Sequence, residues 1–359
     1  MSKSILIFPA GMPRAIAFLS KCLKEQTTVI GASSLANDSS RAHYKKWVEL
    51  PYITHESFAT SLKNVLTNSD ISGIYTPHPV VWNYLNQHLG EIAPGILLLN
   101  TSPYDTELES HRASVLRARE LLGRSLAIAS AVPPKPELAA MHVAALCRHS
   151  EDIPGMCDHE KVRALYEICR HCPPGDIVEI GTWWGKSAFV LLWLAQNFDI
   201  GKVLCVDPWS DAHLIQNDEN ALVDTLSSQL SAEEAFEVFQ VNLLPYANGD
   251  LNYLRMPSTE AANRFRTSPL VTTPAFGFTQ YSGRTSILHI DGNHAYESVN
   301  ADLQSWLGGV ISGGWVIIDD YIWPFGDGPR RVGDAFIETH KHKIHTSFVM
   351  GSALFFQLI

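Results

Sequence analysis

Acidic side chains end two apolar runs in the C-terminal half of the sequence. The run "ILHID" ends at Asp291, and the run "GGWVIIDD" ends at Asp319 and Asp320. Because parallel strands present their carboxyl ends at one edge of a sheet, these three carboxylates are expected to lie close together. Their mutual repulsion requires a nearby positive charge or raised pKa values. A hard divalent cation with oxygen ligands, such as Mg²⁺, supplies that charge, so the pattern predicts a metal site.

An imidazole follows the first of these carboxylates after three residues. His294 is a candidate general base, because the unperturbed pKa of histidine suits proton transfer near neutrality. Each residue taken alone has a simpler interpretation: Asp291 as a helix N-cap, Asp319 and Asp320 as solvated loop carboxylates, and His294 as a surface imidazole. Their occurrence together, behind a cofactor-binding pattern, favours the metal site.

That pattern is "DIVEIGTWWGKSAFVLL", which reads as a buried strand, a glycine turn and a helix. It has the form E-x-G-x-x-x-G, with Glu179, Gly181 and Gly185 at the defined positions, and its glycines allow close approach of the backbone to a ligand. Asp207 ends the next strand, where an acidic residue can bind ribose hydroxyls or simply cap a turn. The spacing is neither the dinucleotide G-x-G-x-x-G nor a P-loop.

These two stretches resemble the first two motifs of class I S-adenosylmethionine-dependent methyltransferases, and the resemblance runs from about residue 160 to the C-terminus. It implies that Glu179, Gly181 and Gly185 border the cofactor and that Asp207 binds its ribose. The segment "RMPSTEAA" lies where this family contacts adenine, which implies Met256 and Ser258. Apolar packing and helix capping account for those two residues equally well.

The stretch "IDGNHAYESVNADLQSWLGGVISGGWVIIDDY" is similar to the metal-dependent O-methyltransferases that act on sugar hydroxyls in macrolide and related natural-product pathways. This resemblance implies that Asp291, Asp319 and Asp320 are metal ligands and that His294 is the general base. It further implies a small-molecule hydroxyl acceptor, S-adenosylmethionine as cofactor, and Mg²⁺ or another hard divalent cation.

The elements that position these residues follow an alternation of strand and helix, which predicts an α/β protein with parallel sheets. The final "HTSFVMGSALFFQLI" predicts an antiparallel hairpin turning at Gly351 and Ser352. The proline-rich "AVPPKPE" reads as a linker. The predicted organisation is an N-terminal α/β accessory domain, a linker with leading helices, and a Rossmann-like methyltransferase domain, at residues 1–130, 131–175 and 176–359. The N-terminal part loosely resembles the α/β domain that precedes ATP-grasp domains.

Substrate selection is expected to rest on an insertion at 210–250 and a loop at 268–285, which we interpret as the lid and the acceptor pocket. A different class of function, an NAD-type oxidoreductase, is disfavoured because G-x-G-x-x-G is missing. A third hypothesis is a non-catalytic nucleotide-binding module, and the three carboxylates with His294 count against it.

Composition narrows the class of protein further. The 359 residues are 46% hydrophobic and 18% charged, which indicates a folded globular chain. A net charge of -10 argues against nucleic acid and anionic membrane surfaces as partners. The apolar runs are too short for a signal peptide or a membrane span, so a soluble cytoplasmic protein is expected. A homo-oligomer is possible, and the sequence leaves this open.

Overall fold

The structure is a computed structural model that describes residues 4–124, 126–214, 225 and 229–359. The chain divides into two compact units, Met1–Ala113 and Ser114–Ile359, here called the N-terminal and C-terminal units. The domain boundaries predicted near residues 130 and 175 stay predictions. Among the described residues, no helix combines the length and apolar character needed to cross a membrane.

The N-terminal unit is a five-stranded parallel sheet with strand order β3-β2-β1-β4-β5. Its strands are β1 (Ser4–Ile7), β2 (Val29–Ser33), β3 (Trp47–Glu49), β4 (Ile71–Tyr75) and β5 (Leu97–Leu98). Its helices are α1 (Pro13–Lys24), α2 (Phe58–Asn68) and α3 (Pro79–Ile92), and α4 (Pro103–Gly123) runs past the unit boundary. Successive strand residues face opposite sides, so Leu6 and Ile7 enter separate apolar clusters. The predicted parallel sheet with helices on both faces is confirmed.

The C-terminal unit is built on a seven-stranded sheet of order β13-β14-β12-β11-β6-β7-β8. The parallel strands are β6 (Asp176–Ile180), β7 (Val203–Val206), β8 (Leu251–Leu254), β11 (Thr285–Ile290) and β12 (Val310–Ile318). The strands β13 (Ile344–Met350) and β14 (Ala353–Leu358) form an antiparallel hairpin beside β12. The predicted fold class, including the final hairpin, is confirmed.

Helices cover both faces of this sheet. They are α5 (Ala140–Asp152), α6 (His159–Arg170), α7 (Lys186–Asn197), α8 (Ala232–Ala247), α9 (Ser258–Thr267), α10 (Tyr296–Leu307) and α11 (Gly328–Thr339). One apolar core includes residues of α5 to α8, and a second includes residues of α9 to α11. Because β6, β7, β11 and β12 run in parallel, their carboxyl ends form one edge, which we call the carboxyl edge.

One of the two segments expected to select the substrate differs in secondary structure from the prediction. Residues 268–285 contain a hairpin of β9 (Leu270–Thr273) and β10 (Gly277–Gln280) where a loop was expected. The amide of buried Asn252 explains it, because this nitrogen donates to the Gly277 carbonyl at 2.9 Å and to Thr279 Oγ1 at 3.2 Å. Within the expected lid at 210–250, residues 215–224 and 226–228 lie outside the described residues, and helix α8 occupies Ala232–Ala247.

Candidate active site

The turn after β6 is a close approach of two backbones at the carboxyl edge. Gly181 has a φ of +80°, a backbone conformation that residues with a Cβ rarely adopt. A Cβ on Gly181 would overlap the carbonyl of Asp291 and lie 2.6 Å from Gly292 Cα. Gly185, with φ +87°, precedes α7 and packs against Leu243. The predicted cofactor turn therefore touches the end of β11 directly.

Asp207 holds this turn in place from the end of β7. One carboxylate oxygen accepts the backbone N–H groups of Thr182 at 3.1 Å and Trp183 at 3.0 Å, and the other accepts that of Trp209 at 2.7 Å. Burial raises the pKa of Asp207, although these three amide bonds oppose the shift. The carboxylate thus fixes the loop backbone, and its contact with a ribose stays a prediction.

Glu179 is paired inside the protein. Its neighbour across the sheet is His289, and imidazole Nδ1 lies 3.0 Å from Glu179 Oε1 with both side chains fully buried. Imidazole Nε2 of His289 has no hydrogen-bond partner within the described part of the chain. A fully buried ring nitrogen without a partner is unusual and points to a missing ligand.

Two carboxylates face that nitrogen. His289 Nε2 lies 3.9 Å from Asp291 Oδ2 and 3.7 Å from Asp319 Oδ2. Ligand atoms of the three residues all fall within 4.8 Å of one another, which suits a metal ion. His289 and Asp291 lie on one side of the sheet because side chains two positions apart in a strand point the same way.

A lysine from a distant part of the sequence completes this cluster. Lys161 lies in the first turn of α6, where the N-cap Asp158 accepts its backbone N–H at 2.8 Å. Its ammonium lies 3.2 Å from Asp291 Oδ2 and donates a hydrogen bond to Asp319 Oδ2. Only 2% of Lys161 is exposed, so this is a buried ion pair. We call Lys161, His289, Asp291 and Asp319 the carboxylate cluster.

Burial and neighbouring charges shift the pKa values of these groups. Burial and the neighbouring charge of Asp319 raise the pKa of Asp291 to about 8. Burial would also raise the pKa of Asp319, but Lys161 and His289 hold it well below its usual range. Burial and Lys161 favour neutral His289, whereas Asp319 and Glu179 outweigh them and raise its pKa to about 9.

The second residue of the Asp pair has a different partner. Asp320 Oδ2 lies 3.0 Å from His294 Nε2, and the His294 ring packs edge-on against Trp323 at 4.7 Å. Trp323 also lines an open cleft of about 440 Å³, together with other residues between 321 and 330 and with Val349. The structure therefore brings together Asp291 and Asp319 among the predicted ligands, and places Asp320 beside the predicted base.

The predicted adenine contacts lie within packed structure. Met256 packs against the second core of the C-terminal unit. Ser258 begins α9, and its hydroxyl accepts the indole N–H of Trp306 at 2.9 Å. These contacts match the packing interpretation, and a role in cofactor binding stays a prediction for both residues.

Two members of the carboxylate cluster, Lys161 and His289, escaped the sequence reasoning. The signal for His289 was its position two residues before Asp291 in an otherwise apolar strand. The signal for Lys161 was a lysine spaced four and seven residues from Leu165 and Ile168 on the apolar face of a helix. A charge in such a stripe indicates a buried partner.

Residues 178–321 match a family model described as a methyltransferase domain. This match spans the glycine turn and both carboxylate-ending strands, and it agrees with the prediction of a methyltransferase for this part of the chain. A sequence search of curated proteins gave no significant match.

The chain is similar to several solved structures. The O-methyltransferase NovP is 16% identical, with 69% of this chain and 99% of that chain covered and a TM-score of 0.41. CalS11, a TDP-rhamnose 3'-O-methyltransferase, is 14% identical, with 72% and 96% covered and a TM-score of 0.38. The MycE methyltransferase, in complex with Mg and SAH, is 15% identical, with 52% and 45% covered and a TM-score of 0.32. Similarity at this level does not define a shared substrate.

Proposed function

We propose that this methyltransferase transfers a methyl group from S-adenosylmethionine to a hydroxyl of a small molecule, a sugar or related natural product, with the help of a divalent cation. One observation carries the proposal. The ligand atoms of His289, Asp291 and Asp319 converge at the carboxyl edge, against the backbone of the glycine turn.

The turn supplies the cofactor site. Bound S-adenosylmethionine supplies a methyl group on a sulfonium centre. Gly181 and Gly185 give the loop its left-handed backbone, and Asp207 keeps that loop rigid through three amide bonds, so the loop can border the methionine part of the cofactor. Met256 and Ser258 remain candidates for the adenine side. Positional control of this kind is a large part of catalysis for a displacement at carbon.

His289, Asp291 and Asp319 fit a cation in their ligand chemistry. Carboxylate oxygens are ligands for Mg²⁺, Mn²⁺ and related ions, and the imidazole nitrogen favours an ion such as Mn²⁺ over Mg²⁺, which prefers oxygen. The Glu179 carboxylate behind His289 Nδ1 orients Nε2 toward Asp291 and Asp319, as outer partners of metal ligands do. A bound cation would act as a Lewis acid that lowers the pKa of the acceptor hydroxyl. Asp320, next in sequence, is a further candidate ligand.

His294 is the proposed general base. Its ring is held between the Asp320 carboxylate and Trp323, and Trp323 also lines the open cleft. Asp320 stabilises the imidazolium that forms when His294 accepts the hydroxyl proton. Trp323 and Arg330 line the cleft, which offers an aromatic face and a hydrogen-bond donor to a polar acceptor.

Calorimetric titration with S-adenosylmethionine, with and without Mg²⁺, tests the proposal. We expect binding in both conditions, because the glycine turn and the carboxylate cluster are separate sets of residues. If neither titration shows binding, S-adenosylmethionine is not the cofactor of this chain.

The role of His294 has its own test. His294→Ala should retain S-adenosylmethionine binding and lose roughly 10²–10⁴-fold in methyl transfer, the usual contribution of a positioned base. His345→Ala, on the exposed side of β13, removes an imidazole away from the site and is the matched control. Turnover of His294→Ala near the wild-type rate would show that His294 is not the base.

A further inference from the structure

The Lys161 ammonium lies where a metal ion would need to bind. The same two oxygens, Asp291 Oδ2 and Asp319 Oδ2, are both the closest partners of Lys161 and the atoms that converge with His289 Nε2. A carboxylate oxygen that accepts a hydrogen bond from an ammonium has less capacity to bind a metal cation on the same side.

The position of the Lys161 ammonium also sets a charge problem for a bound cation. A divalent cation at the same two carboxylate oxygens would lie beside this buried ammonium, and two positive charges at such a distance repel each other strongly. The ammonium must therefore move away from the two oxygens when the cation binds.

We propose that Lys161 is the resident counter-ion of the carboxylate cluster and that a divalent cation binds by displacing its ammonium from Asp291 and Asp319. This inference rests on the proposed function, because it concerns the same metal site. Lys161 is a positioning residue: in the metal-free protein it holds the two carboxylates together and tethers the first turn of α6 to the carboxyl edge.

The lysine side chain suits this role. Its charge sits on a flexible four-carbon stem, so the ammonium can swing aside while the helix stays in place. An arginine would hold both carboxylates in a rigid, two-pronged pair and would resist displacement. Lys161 thus stabilises the two carboxylates in the metal-free protein and lowers the affinity of the site for the cation.

The test is a calorimetric titration of metal-free protein with Mn²⁺ for wild type, Lys161→Met and Lys161→Arg. We expect about tenfold or greater tightening for Lys161→Met, a typical strength for coupling between two ligands, and weakening for Lys161→Arg. Lys135→Met is the control, because the Lys135 ammonium is held by the Phe198 carbonyl oxygen at 2.5 Å instead of by carboxylates.

Each outcome decides the matter. Equal or weaker Mn²⁺ binding by Lys161→Met, with unchanged binding by the control, overturns the displacement of Lys161 and leaves the metal site standing. No Mn²⁺ binding by any of the proteins overturns the metal dependence itself.

A measurement on the wild type covers the case in which Lys161→Met does not fold. In protein labelled with ¹³C at the lysine ε-carbons, the buried Lys161 signal should shift when Mg²⁺ saturates the site, while the Lys135 signal stays in place. An unshifted Lys161 signal at saturation overturns the proposal.

Discussion

Substitution of Gly181 by alanine tests the contact between the cofactor turn and the carboxylate cluster. Gly249→Ala is a matched control, since Gly249 has φ +81° against +80° for Gly181, and both lie in the C-terminal unit. A Cβ on Gly249 meets no described atom within 4 Å, whereas a Cβ on Gly181 overlaps the backbone of Asp291. The two variants therefore share the backbone strain and differ in the overlap.

The magnitudes follow from these two terms. Left-handed backbone costs a residue with a Cβ roughly 1–2 kcal/mol, which is the expected loss for Gly249→Ala. Overpacking of a close contact adds about 1–3 kcal/mol, and backbone cannot move aside as a side chain can. We expect Gly181→Ala to lose about 2–5 kcal/mol in total, the sum of these two ranges.

Urea unfolding of both variants at 25 °C measures the difference in free energy of unfolding. Calorimetry then measures S-adenosylmethionine binding by the folded protein, which should weaken for Gly181→Ala and persist for Gly249→Ala. Equal losses of stability, with equal cofactor affinities, would refute the close approach of the two backbones.

Two further predictions concern the supports of the site. Burial raises the pKa of Asp302, on α10, to about 6, so ionisation of this side chain in the folded protein costs free energy. The free energy of unfolding should therefore fall as the pH rises from about 4 to 6. At pH 8, the free energy of unfolding of Asp302→Asn, measured with urea, should exceed that of wild type by up to about 3 kcal/mol, and at pH 5 the difference should be smaller by about 1 kcal/mol. A difference that does not change with pH would contradict burial of the ionised carboxylate as its cause. Trp209 is 1% exposed, packs on Phe236 and Phe239, and donates its indole N–H to the Trp183 carbonyl at 2.9 Å. Trp209→Ala should lose about 3–5 kcal/mol in urea unfolding and weaken cofactor binding, and a loss below 1 kcal/mol would contradict this packing.

The sequence predicted the sheet well because the strands are buried on both faces and therefore read as continuous apolar runs. Strand β6 and helix α7 lie in the two parts of "DIVEIGTWWGKSAFVLL" that were predicted as strand and helix. Short-range signals also sufficed for the final hairpin, where Gly351 has φ +59°. The hairpin of β9 and β10 was missed because a side chain outside it, Asn252 on β8, donates hydrogen bonds that hold it in place.

The candidate site was predictable where carboxylates end strands, and less so where partners come from elsewhere. Asp291 and Asp319 follow from parallel strand order. The pairing of Asp320 with His294 depends on backbone direction after β12, where Asp320 has φ +50°. Lys161 lies 130 residues before Asp291 in the chain, so no local pattern connects them. Asp207 shows a further limit, because residue type does not reveal which hydrogen bonds a carboxylate makes.

In the proposed site, the cofactor and a divalent cation bind side by side at the carboxyl edge. The most direct test is the nuclear magnetic relaxation of the methyl group in ¹³C-methyl S-adenosylmethionine bound to the protein, with Mn²⁺ added as a paramagnetic cation. We predict strong enhancement of methyl relaxation in the wild type, and its loss in Asp291→Asn with Asp319→Asn at unchanged cofactor binding. Methyl relaxation that does not respond to Mn²⁺ when both ligands are bound would contradict the account.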